Sequence, residues 1–409
     1  MSSGEGENAE GQPRADGRRV LTRLILLGIA NHAVLSGSRV TVSLAALDKG
    51  SSPLTVGVLM ALYALLPMLF AVAAGRFSDR VGVRRPMLLG TAAIAVGAAL
   101  PIAFPGLPML FASAAVLGTG FMVFQVATQN ATGELGGPAQ RARNFSMLAL
   151  GYSTSGFIGP LIAGLSIDHL GFAWTFATLA AVPFVPLTVL ARGSLALPRP
   201  RAHEGPAHHG GVRALLRHRT LRRLFAVNAL FAVGWDLFTV FVPVYGARIG
   251  LSASEIGLLL STFAAATFVV RLLMPRIARR MAERQVLTIA LFVAGAVYLL
   301  FPLAQSAPTL LVLAFCLGLG LGSGHPMVMS LLHAHAPPGR MGEAAGVRMS
   351  LVNTMAVAVP LAFGALGTTI GLAPVLYLVG ACLTTGGLLA RRTRERAGRS
   401  QGPKAASRH

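Results

Sequence analysis

Long apolar segments divide this chain at regular intervals, and they restrict the fold more than any other feature. A helix of about 20 apolar residues is long enough to cross a lipid bilayer. The sequence predicts twelve such spans, at 21–44, 53–74, 87–104, 109–131, 144–167, 173–191, 222–246, 254–274, 286–303, 309–332, 345–368 and 373–390. It therefore predicts an all-α integral membrane protein with twelve transmembrane helices.

The composition agrees with a membrane protein. Hydrophobic residues make up 54% of the chain and charged residues only 12%, whereas a soluble domain carries about 25% charged residues. The net charge of +21 would suit a nucleic-acid partner, but the arginines fall between alternate apolar segments, so no nucleic-acid partner is predicted. Cys316 and Cys382 lie inside apolar segments, where they favour packing over a disulfide framework.

The basic residues predict the orientation in the membrane. With both termini inside, 30 of the 35 Lys and Arg residues lie on the cytoplasmic side. Only Lys49 and Arg248 lie outside, while Arg39, Arg271 and Arg348 lie within spans. Because basic residues favour the cytoplasmic side, this orientation is preferred over its reverse. The Arg-rich, Lys-poor, Ala-rich composition favours a bacterial inner membrane.

The spans form two groups of six, separated by an Arg-rich linker. The predicted regions are a disordered cytoplasmic tail, an N-terminal six-helix bundle, the linker, a C-terminal six-helix bundle and a basic tail, at 1–20, 21–191, 192–221, 222–390 and 391–409. Glycines and prolines recur with an offset of 200 residues, as in Gly50 and Gly250, Gly171 and Gly371, and Pro160 and Pro360. With six spans between the copies, both halves have the same orientation, so the repeat is parallel.

A charged segment at 75–86 separates spans two and three. It has the pattern G-x-F-x-D-R-x-G-x-R-R, formed by Gly75, Asp79, Arg80, Gly82, Arg84 and Arg85. We expect a tight cytoplasmic turn in which the two glycines allow close packing and turn geometry. An acid at position 79 is expected near a helix N-terminus or an arginine.

This pattern resembles the loop 2–3 signature of the major facilitator superfamily of transporters, with Val83 in place of the first basic residue. The resemblance implies a fold of two six-helix bundles whose spans one, four, seven and ten line a central cavity. It also implies that Glu134, at the end of span four, joins Asp79 and Arg80 in a charge relay near the start of span eleven. The span-four arginine and span-one acid that are frequent in that family are absent.

A second motif lies in span five. Its pattern is G-x-x-G-P-x-x-x-G, formed by Gly156, Gly159, Pro160 and Gly164. Small residues at such spacing let helices approach closely, and a proline can bend a helix. Simple close packing would explain the glycines, but the whole pattern resembles the span-five motif of the superfamily's exporters, particularly drug–proton antiporters.

Charged residues inside a bilayer are costly and usually functional. Asp236 is the only acid predicted deep within a span, and it is either a functional group or half of a structural ion pair. In span one, His32, Ser36 and Arg39 share a helix face. The repeat aligns Ser36 with Asp236, so Arg39 lies one helical turn from the position that matches Asp236. Because the resemblance implies that spans one and seven both line the central cavity, Arg39 and Asp236 are expected to pair across the outer gate.

Further polar residues lie in spans four and ten. Span four carries Gln125, Thr128, Gln129 and Thr132, which we predict to share one face. At the position aligned with Gln125, span ten carries His325. A histidine titrates near neutral pH, so His325 is either a proton carrier or a residue bonded to a neighbouring carbonyl.

The preferred function is a secondary transporter that exports small organic or amphiphilic molecules in exchange for protons. The alternatives are proton-coupled uptake of an organic anion or metabolite, with Arg39 binding a carboxylate, and a non-transporting membrane sensor. No Walker motif, nucleophile–base pair or metal cluster is evident, so no enzyme activity and no cofactor are predicted. His203, His208 and His209 are interpreted as a solvated linker segment. The predicted partners are the substrate, protons and membrane lipid, and the protein is predicted to be a monomer.

Overall fold

The computed structural model describes residues 11–135, 138–193, 195, 197, 217–336 and 341–399. These residues are almost entirely α-helical, which confirms the predicted fold class. The first half forms α1 (Gly11–Asp48), α2 (Pro53–Val81), α3 (Arg84–Ala103), α4 (Leu107–Glu134), α5 (Pro138–Ala181) and α6 (Phe184–Ala191). The second half forms α7 (Arg219–Arg248), α8 (Ala253–Arg280), α9 (Glu283–Leu300), α10 (Ala307–His335), α11 (Met341–Thr369) and α12 (Leu372–Arg399).

The predicted spans all fall on described helices. Ten described segments are long and apolar enough to cross a membrane, and Leu372–Leu388 is a shorter apolar helix at the predicted last span. One of the ten, Arg143–Ala191, has 49 residues and contains predicted spans five and six. Within it, α5 breaks at Gly171, where φ is 80° and ψ is 172°. The chain is therefore a multi-pass membrane protein.

The internal repeat extends to the backbone conformation. Gly50 and Gly250 follow α1 and α7 with φ angles of 75° and 79°. In both turns the amide after the glycine donates to the carbonyl five residues earlier, at 3.0 and 2.9 Å, which is the hydrogen bond of a Schellman helix end. Gly171 and Gly371 likewise have φ angles of 80° and 87°. A positive φ strains residues with a Cβ, which explains glycine at each position.

The chain divides into two compact units. The first holds the described residues within Met1–Pro206 and Val240–Ala264, and the second holds those within Ala207–Thr239 and Ala265–His409. In the first unit, α1 packs on α5, and α4 packs on α2 and α3. In the second unit, α9 packs on α10 and α12. The division into six-helix bundles at 21–191 and 222–390 stays a prediction.

The helices extend beyond the predicted spans at both ends of the chain. Helix α1 begins at Gly11 and α12 continues to Arg399, so residues 11–20 of the tail predicted to be disordered and residues 391–399 of the predicted basic tail are helical. After position 390 most residues are Arg, Ala and Glu, which are good helix formers. Adding them to an existing helix avoids the cost of a new nucleus. Residues 1–10 and 400–409 lie outside the described part.

Candidate functional site

Two arginines and a histidine lie together within the second unit, and we call Arg271, His325 and Arg348 the charged cluster. Arg348 on α11 is only 7% exposed, and its Nη1 donates to Nδ1 of His325 on α10 at 3.3 Å. Because a guanidinium only donates, Nδ1 accepts and the neutral ring carries its proton on Nε2. His325 is therefore bonded to an arginine rather than to a carbonyl, which was the alternative from the sequence.

Helix α7 brings an acid and an aromatic ring to the same unit. The Arg271 guanidinium lies 6.0 Å from the centroid of the Trp235 ring, within the range of a cation–π contact. The adjacent residue, Asp236, is half-buried and acts electrostatically on the Tyr298 hydroxyl. That hydroxyl donates to the carbonyl of Gly234 on α7. Both signs of charge thus occur inside the predicted spans of one unit.

The first unit holds a cluster without formal charges, and we call His32, Phe121, Tyr152 and Ser155 the neutral cluster. His32 Nδ1 lies 2.7 Å from Ser155 Oγ, and the Ser155 hydroxyl donates to the Tyr152 carbonyl. The His32 ring centroid lies 5.2 Å from that of Phe121 and 5.1 Å from that of Tyr152. The Tyr152 hydroxyl is buried without a hydrogen-bond partner among the described residues. This arrangement offers aromatic surface with few polar groups.

Arg39 lies above an aromatic ring of the first unit. Its guanidinium is 5.4 Å from the centroid of the Tyr63 ring, and the Tyr63 hydroxyl donates to Ser38 Oγ at 3.1 Å. Arg39 belongs to the first unit and Asp236 to the second. The predicted pairing of Arg39 with Asp236 across an outer gate stays a prediction.

The polar residues of α4 divide between two environments. Gln125 and Gln129 are half-buried, and neither makes a hydrogen bond to another described residue. Thr128 and Thr132 are fully buried, and their hydroxyls donate to carbonyls one turn earlier in the same helix. By their spacing the four residues lie on one side of the helix, but the threonines are packed there and only the glutamines are partly exposed. The two glutamines remain candidates for contact with a ligand.

The charged segment at 75–86 is mostly helical rather than a loop. Helix α2 continues to Val81 and α3 begins at Arg84, so only two residues form the turn. Gly82 has a φ of 83° and its amide donates to the Ser78 carbonyl at 3.0 Å, so the turn requires glycine there. A Cβ at Gly75 would meet no atom within 4 Å. The expected close packing at Gly75 is therefore wrong.

Arg84 has a structural role that the sequence did not indicate. Its Nε donates to the Leu190 carbonyl at 2.8 Å and its Nη2 to the Ala191 carbonyl at 2.6 Å. The last carbonyls of a helix have no partner within it. Arg84 thus caps the C-terminal end of α6 from the start of α3.

The other charged residues of this region stay candidates. Arg80 and Arg85 are exposed, and Glu134 is half-buried at the end of α4. The Asp79 side chain lies outside the described residues, although its backbone belongs to the last turns of α2. The charge relay of Asp79, Arg80 and Glu134 therefore stays a prediction.

The glycines of the span-five motif differ in their surroundings. A Cβ at Gly159 would meet the Ala33 carbonyl and the amide nitrogen of Gly37 on α1, the latter at 3.0 Å. A Cβ at Gly164 would meet the Ala253 backbone at the start of α8. At Gly156 the nearest atom would be an alanine methyl at 3.6 Å, an ordinary contact. Two of the three glycines are therefore required by close backbone approach.

Beyond this motif, α5 caps the beginning of α8. Buried Pro160 presents its carbonyl to the Cα side of Gly257, and the Asp168 carboxylate accepts from the amides of Ala253 at 3.1 Å and Ser254 at 2.7 Å. Desolvation alone would raise the pKa of the Asp168 carboxyl, but the hydrogen bonds from Ser254 and Ala253 outweigh it and hold the pKa below its usual value. Asp168 is thus an ionised cap on the N-terminus of α8.

Some of the contacting residues outside the predicted site carry a partial signal in the sequence. Arg271 and Arg348 were placed within spans, and the cost of burying a charge in a bilayer was the signal that marked them. For Asp168 the signal was the S-x-x-E capping box at 252–255, which indicates a helix start but not a partner from α5. The partner of Arg84 had no local signal.

Within the described ranges, no group of three or more His, Cys, Asp or Glu side chains is arranged to hold a metal ion. His203, His208 and His209 of the predicted linker lie outside those ranges.

Comparisons with known proteins agree with this architecture. A family model described as Major Facilitator Superfamily matches residues 24–360 and again 224–408. The chain is 28% identical to a class G tetracycline resistance protein of Vibrio anguillarum over 329 residues, 76% of this chain and 80% of that protein. It is 26% identical to a class D tetracycline resistance protein of Salmonella ordonez over 330 residues, 75% and 78% of the two chains. A crystal structure of a mutant peptide transporter, POT, matches with a TM-score of 0.77 and 18% identity over 93% of this chain and 95% of that one. At that identity the likeness concerns the fold alone.

Proposed function

This chain belongs to the major facilitator superfamily, and on that premise we propose that it is a proton-coupled exporter of small amphiphilic organic molecules. It works by alternating access in a bacterial inner membrane, with both termini in the cytoplasm. The similarity to two tetracycline resistance proteins over about three quarters of the chain favours drug export. The span-five pattern with Gly159, Pro160 and Gly164 favours the same direction of transport.

The observation that carries the proposal is the occurrence of ionisable groups inside the predicted spans of the second unit. A charge near the middle of a bilayer is unfavourable and persists where it serves a function or has a partner. Arg348 is buried and bonded to a histidine, and Asp236 is half-buried on α7. Proton coupling requires such groups, because binding a proton changes the charge inside the protein.

The Arg348–His325 hydrogen bond suggests how proton binding is linked to a movement of the helices. Nδ1 of His325 accepts from Arg348, so a proton on Nδ1 would remove the acceptor and place two cations side by side. Protonation of His325 would therefore separate α10 from α11 at this level, and loss of the proton would restore the bond. In the proposed cycle Asp236 takes a proton from outside, and His325 relays it toward the cytoplasm.

The two clusters also suggest the class of substrate. The two arginines of the charged cluster outnumber the one acid predicted deep within a span, Asp236, which suits a substrate with an anionic or strongly polar edge. In the first unit, the rings of His32, Phe121 and Tyr152 suit a flat apolar ring system. Tetracycline, the compound in the names of the relatives, is accordingly the first substrate to test.

The proposal is tested in everted membrane vesicles with labelled tetracycline and an imposed pH gradient. We expect accumulation that a protonophore abolishes. Asp236→Asn should abolish accumulation, because the substituted amide does not carry the proton, while downhill exchange continues. The matched control is Asp48→Asn, which removes an exposed carboxylate at the end of α1. Full gradient-driven transport by a well-folded Asp236→Asn protein would exclude Asp236 from coupling.

Uptake of an organic anion is the second candidate, favoured by the same excess of arginine over acid in the charged cluster. It predicts accumulation in right-side-out vesicles instead of everted ones. A membrane sensor predicts flux in neither orientation and no effect of Asp236→Asn. The vesicle orientation that supports flux therefore separates the three functions.

The orientation of the chain is tested separately. Reporter fusions at Ala202, in the linker, and at Ser306, before α10, should give opposite signals because the basic residues place the linker inside. Identical signals at both sites would refute the topology on which export depends.

A further inference from the structure

A cavity of about 130 Å³ opens within the second unit between the ends of α7, α9, α10 and α12. A water molecule occupies about 30 Å³, and packed interiors leave few voids larger than that. Three leucines stand among its apolar wall residues, and three basic residues form its rim. We call these six the basic cavity: Leu224, Leu287, Leu331, Arg223, Arg284 and His335.

The rim of the basic cavity lies at the border of the apolar segments. Arg223 and Arg284 stand within the first five residues of the spans Arg219–Arg248 and Glu283–Leu303, and His335 is the last residue of the span Ala307–His335. These ends are the ones that the distribution of basic residues predicts to be cytoplasmic. At that depth the rim meets lipid headgroups, and the cytoplasmic leaflet is the one that carries anionic lipids.

A comparison with the first unit explains why the Arg284 guanidinium does not cap a helix and can bind a ligand instead. Its repeat counterpart, Arg84, donates to the last carbonyls of α6, because α6 ends at Ala191. In the second unit α12 continues past Ala390 to Arg399, so the carbonyls at this level bond to amides of their own helix. Arg284 instead donates to His335 and faces the cavity. A structural cap has thus been replaced by a basic rim.

The hydrogen bonds at the rim leave the positive charge uncompensated. The Leu331 carbonyl lies 2.9 Å from His335 Nδ1, which donates to it, and Nε2 accepts from Arg284 at 3.4 Å, so the histidine is neutral here. Among the described residues, Arg223 has neither an ion-pair nor a hydrogen-bond partner for its guanidinium. The nearest acid in sequence, Glu283, does not line the cavity and accepts from Ser330 Oγ at 3.0 Å.

We propose that the basic cavity binds an anionic phospholipid of the cytoplasmic leaflet. Arg223 and Arg284 hold the phosphate, since guanidinium groups bind phosphate through paired hydrogen bonds. The leucine walls take the first methylenes of the lipid and remove them from water. The site belongs to the second unit alone and is independent of the transport cycle proposed above.

The experiment is native mass spectrometry of the detergent-purified full chain with dioleoylphosphatidylglycerol. Wild type should retain this lipid more strongly than dioleoylphosphatidylcholine. Arg223→Gln and Arg284→Gln should each weaken retention about fivefold, the contribution of one basic side chain at an anionic membrane surface. The matched control is Arg222→Gln, which removes an exposed arginine of the same helix that does not line the cavity.

A second variant keeps the charges and fills the space. Ala390→Phe enlarges a lining residue of α12, so it should displace the lipid while both arginines remain and the protein stays folded. If Arg222→Gln and Arg284→Gln weakened lipid retention equally, general surface charge would explain the binding, and the proposed site would be wrong. Undiminished binding in Ala390→Phe would overturn it as well. Displacement of the lipid by inorganic phosphate alone, at equal affinity, would show that the occupant is a free anion and not a lipid.

Discussion

Helices α1 and α5 approach each other closely at Gly37 and Gly159. Their repeat counterparts, α7 and α11, carry different residues at the matching positions. In the first pair a Cβ built at Gly37 would lie 2.9 Å from the Gly159 carbonyl oxygen. The second pair carries Leu237 and Val359 at the positions 200 residues later. The two glycines of the first helix pair, which have no side chain beyond hydrogen, thus correspond to two branched side chains in the second pair. Only the first pair is built for direct backbone contact.

The polar side chains differ in the same sense. The first unit joins α1 to α5 through neutral groups, with His32 beside Ser155. The second unit joins α10 to α11 through a buried arginine, with Arg348 bonded to His325, and it adds the acid Asp236 on α7. One half therefore joins these helices through neutral groups, and the other joins them through a charged one. Four variants test this contrast.

The largest effect is expected for Gly159→Ala. The added methyl group would strike backbone atoms of α1, which have no rotamer to adopt, and overpacking of this kind costs about 1–3 kcal/mol or more. We expect a clear loss of folded protein and of Tm in detergent. Gly156→Ala, in the same motif, meets only a methyl group at 3.6 Å and should behave as wild type. Equal stability of the two variants would contradict the close approach of α1 and α5.

Arg348→Gln should reduce transport by about tenfold or more, since hydrogen bonds to charged groups contribute about 1.5–3 kcal/mol. The measurement is the initial rate of gradient-driven flux, normalised to folded protein. Arg276→Gln, which removes an exposed arginine of α8, is the control and should retain the rate. A normal rate in Arg348→Gln would mean that the charged cluster has a structural role and that the second unit carries no special role in proton coupling.

Ser155→Ala should affect stability rather than transport. The substitution at fully buried Ser155 removes the hydrogen-bond partner of half-buried His32 Nδ1, which costs about 1 kcal/mol. Tm should fall by a few degrees while the flux per folded molecule is kept. Thr154→Ala removes a hydroxyl that bonds within its own helix and serves as the control. The rings of His32, Phe121 and Tyr152 remain in this variant, so a flux defect without a fall in Tm would mean that the Ser155 hydroxyl itself acts in transport.

The smallest effect is expected for Asp168→Ala, which removes an exposed helix cap and costs about 1 kcal/mol. Hydrogen bonds hold the pKa of this carboxyl below its usual value, so its contribution is present above the unfolded pKa of about 3.9 and is lost as the pH falls through the lower folded pKa. The Tm difference from wild type should therefore be constant from pH 8 to 5 and shrink in stronger acid. Asp48→Ala should show no such difference at any pH. A difference that changes near pH 7 would make Asp168 a titrating group of the transport cycle.

Several features followed from the sequence because their causes are local. Segments of about 20 apolar residues predict spans wherever they occur. The glycines at 50 and 250, and at 171 and 371, predicted a repeated backbone, since each residue adopts a positive φ. The ends of the helices were less predictable. Residues 75–81 and 391–399 are polar but helical, because a helix started by an apolar span continues through residues that favour it.

The sequence by itself determined the helices, their membrane character and the positions of the charges within spans, since these depend on composition and short-range spacing. Only the tertiary structure decided which charges meet. It joined Arg348 to His325, Asp168 to the start of α8 and Arg84 to the end of α6. Each of these contacts links residues on different helices, 23 to 107 positions apart. Such partners depend on how the helices pack, and no local pattern in one chain specifies that packing.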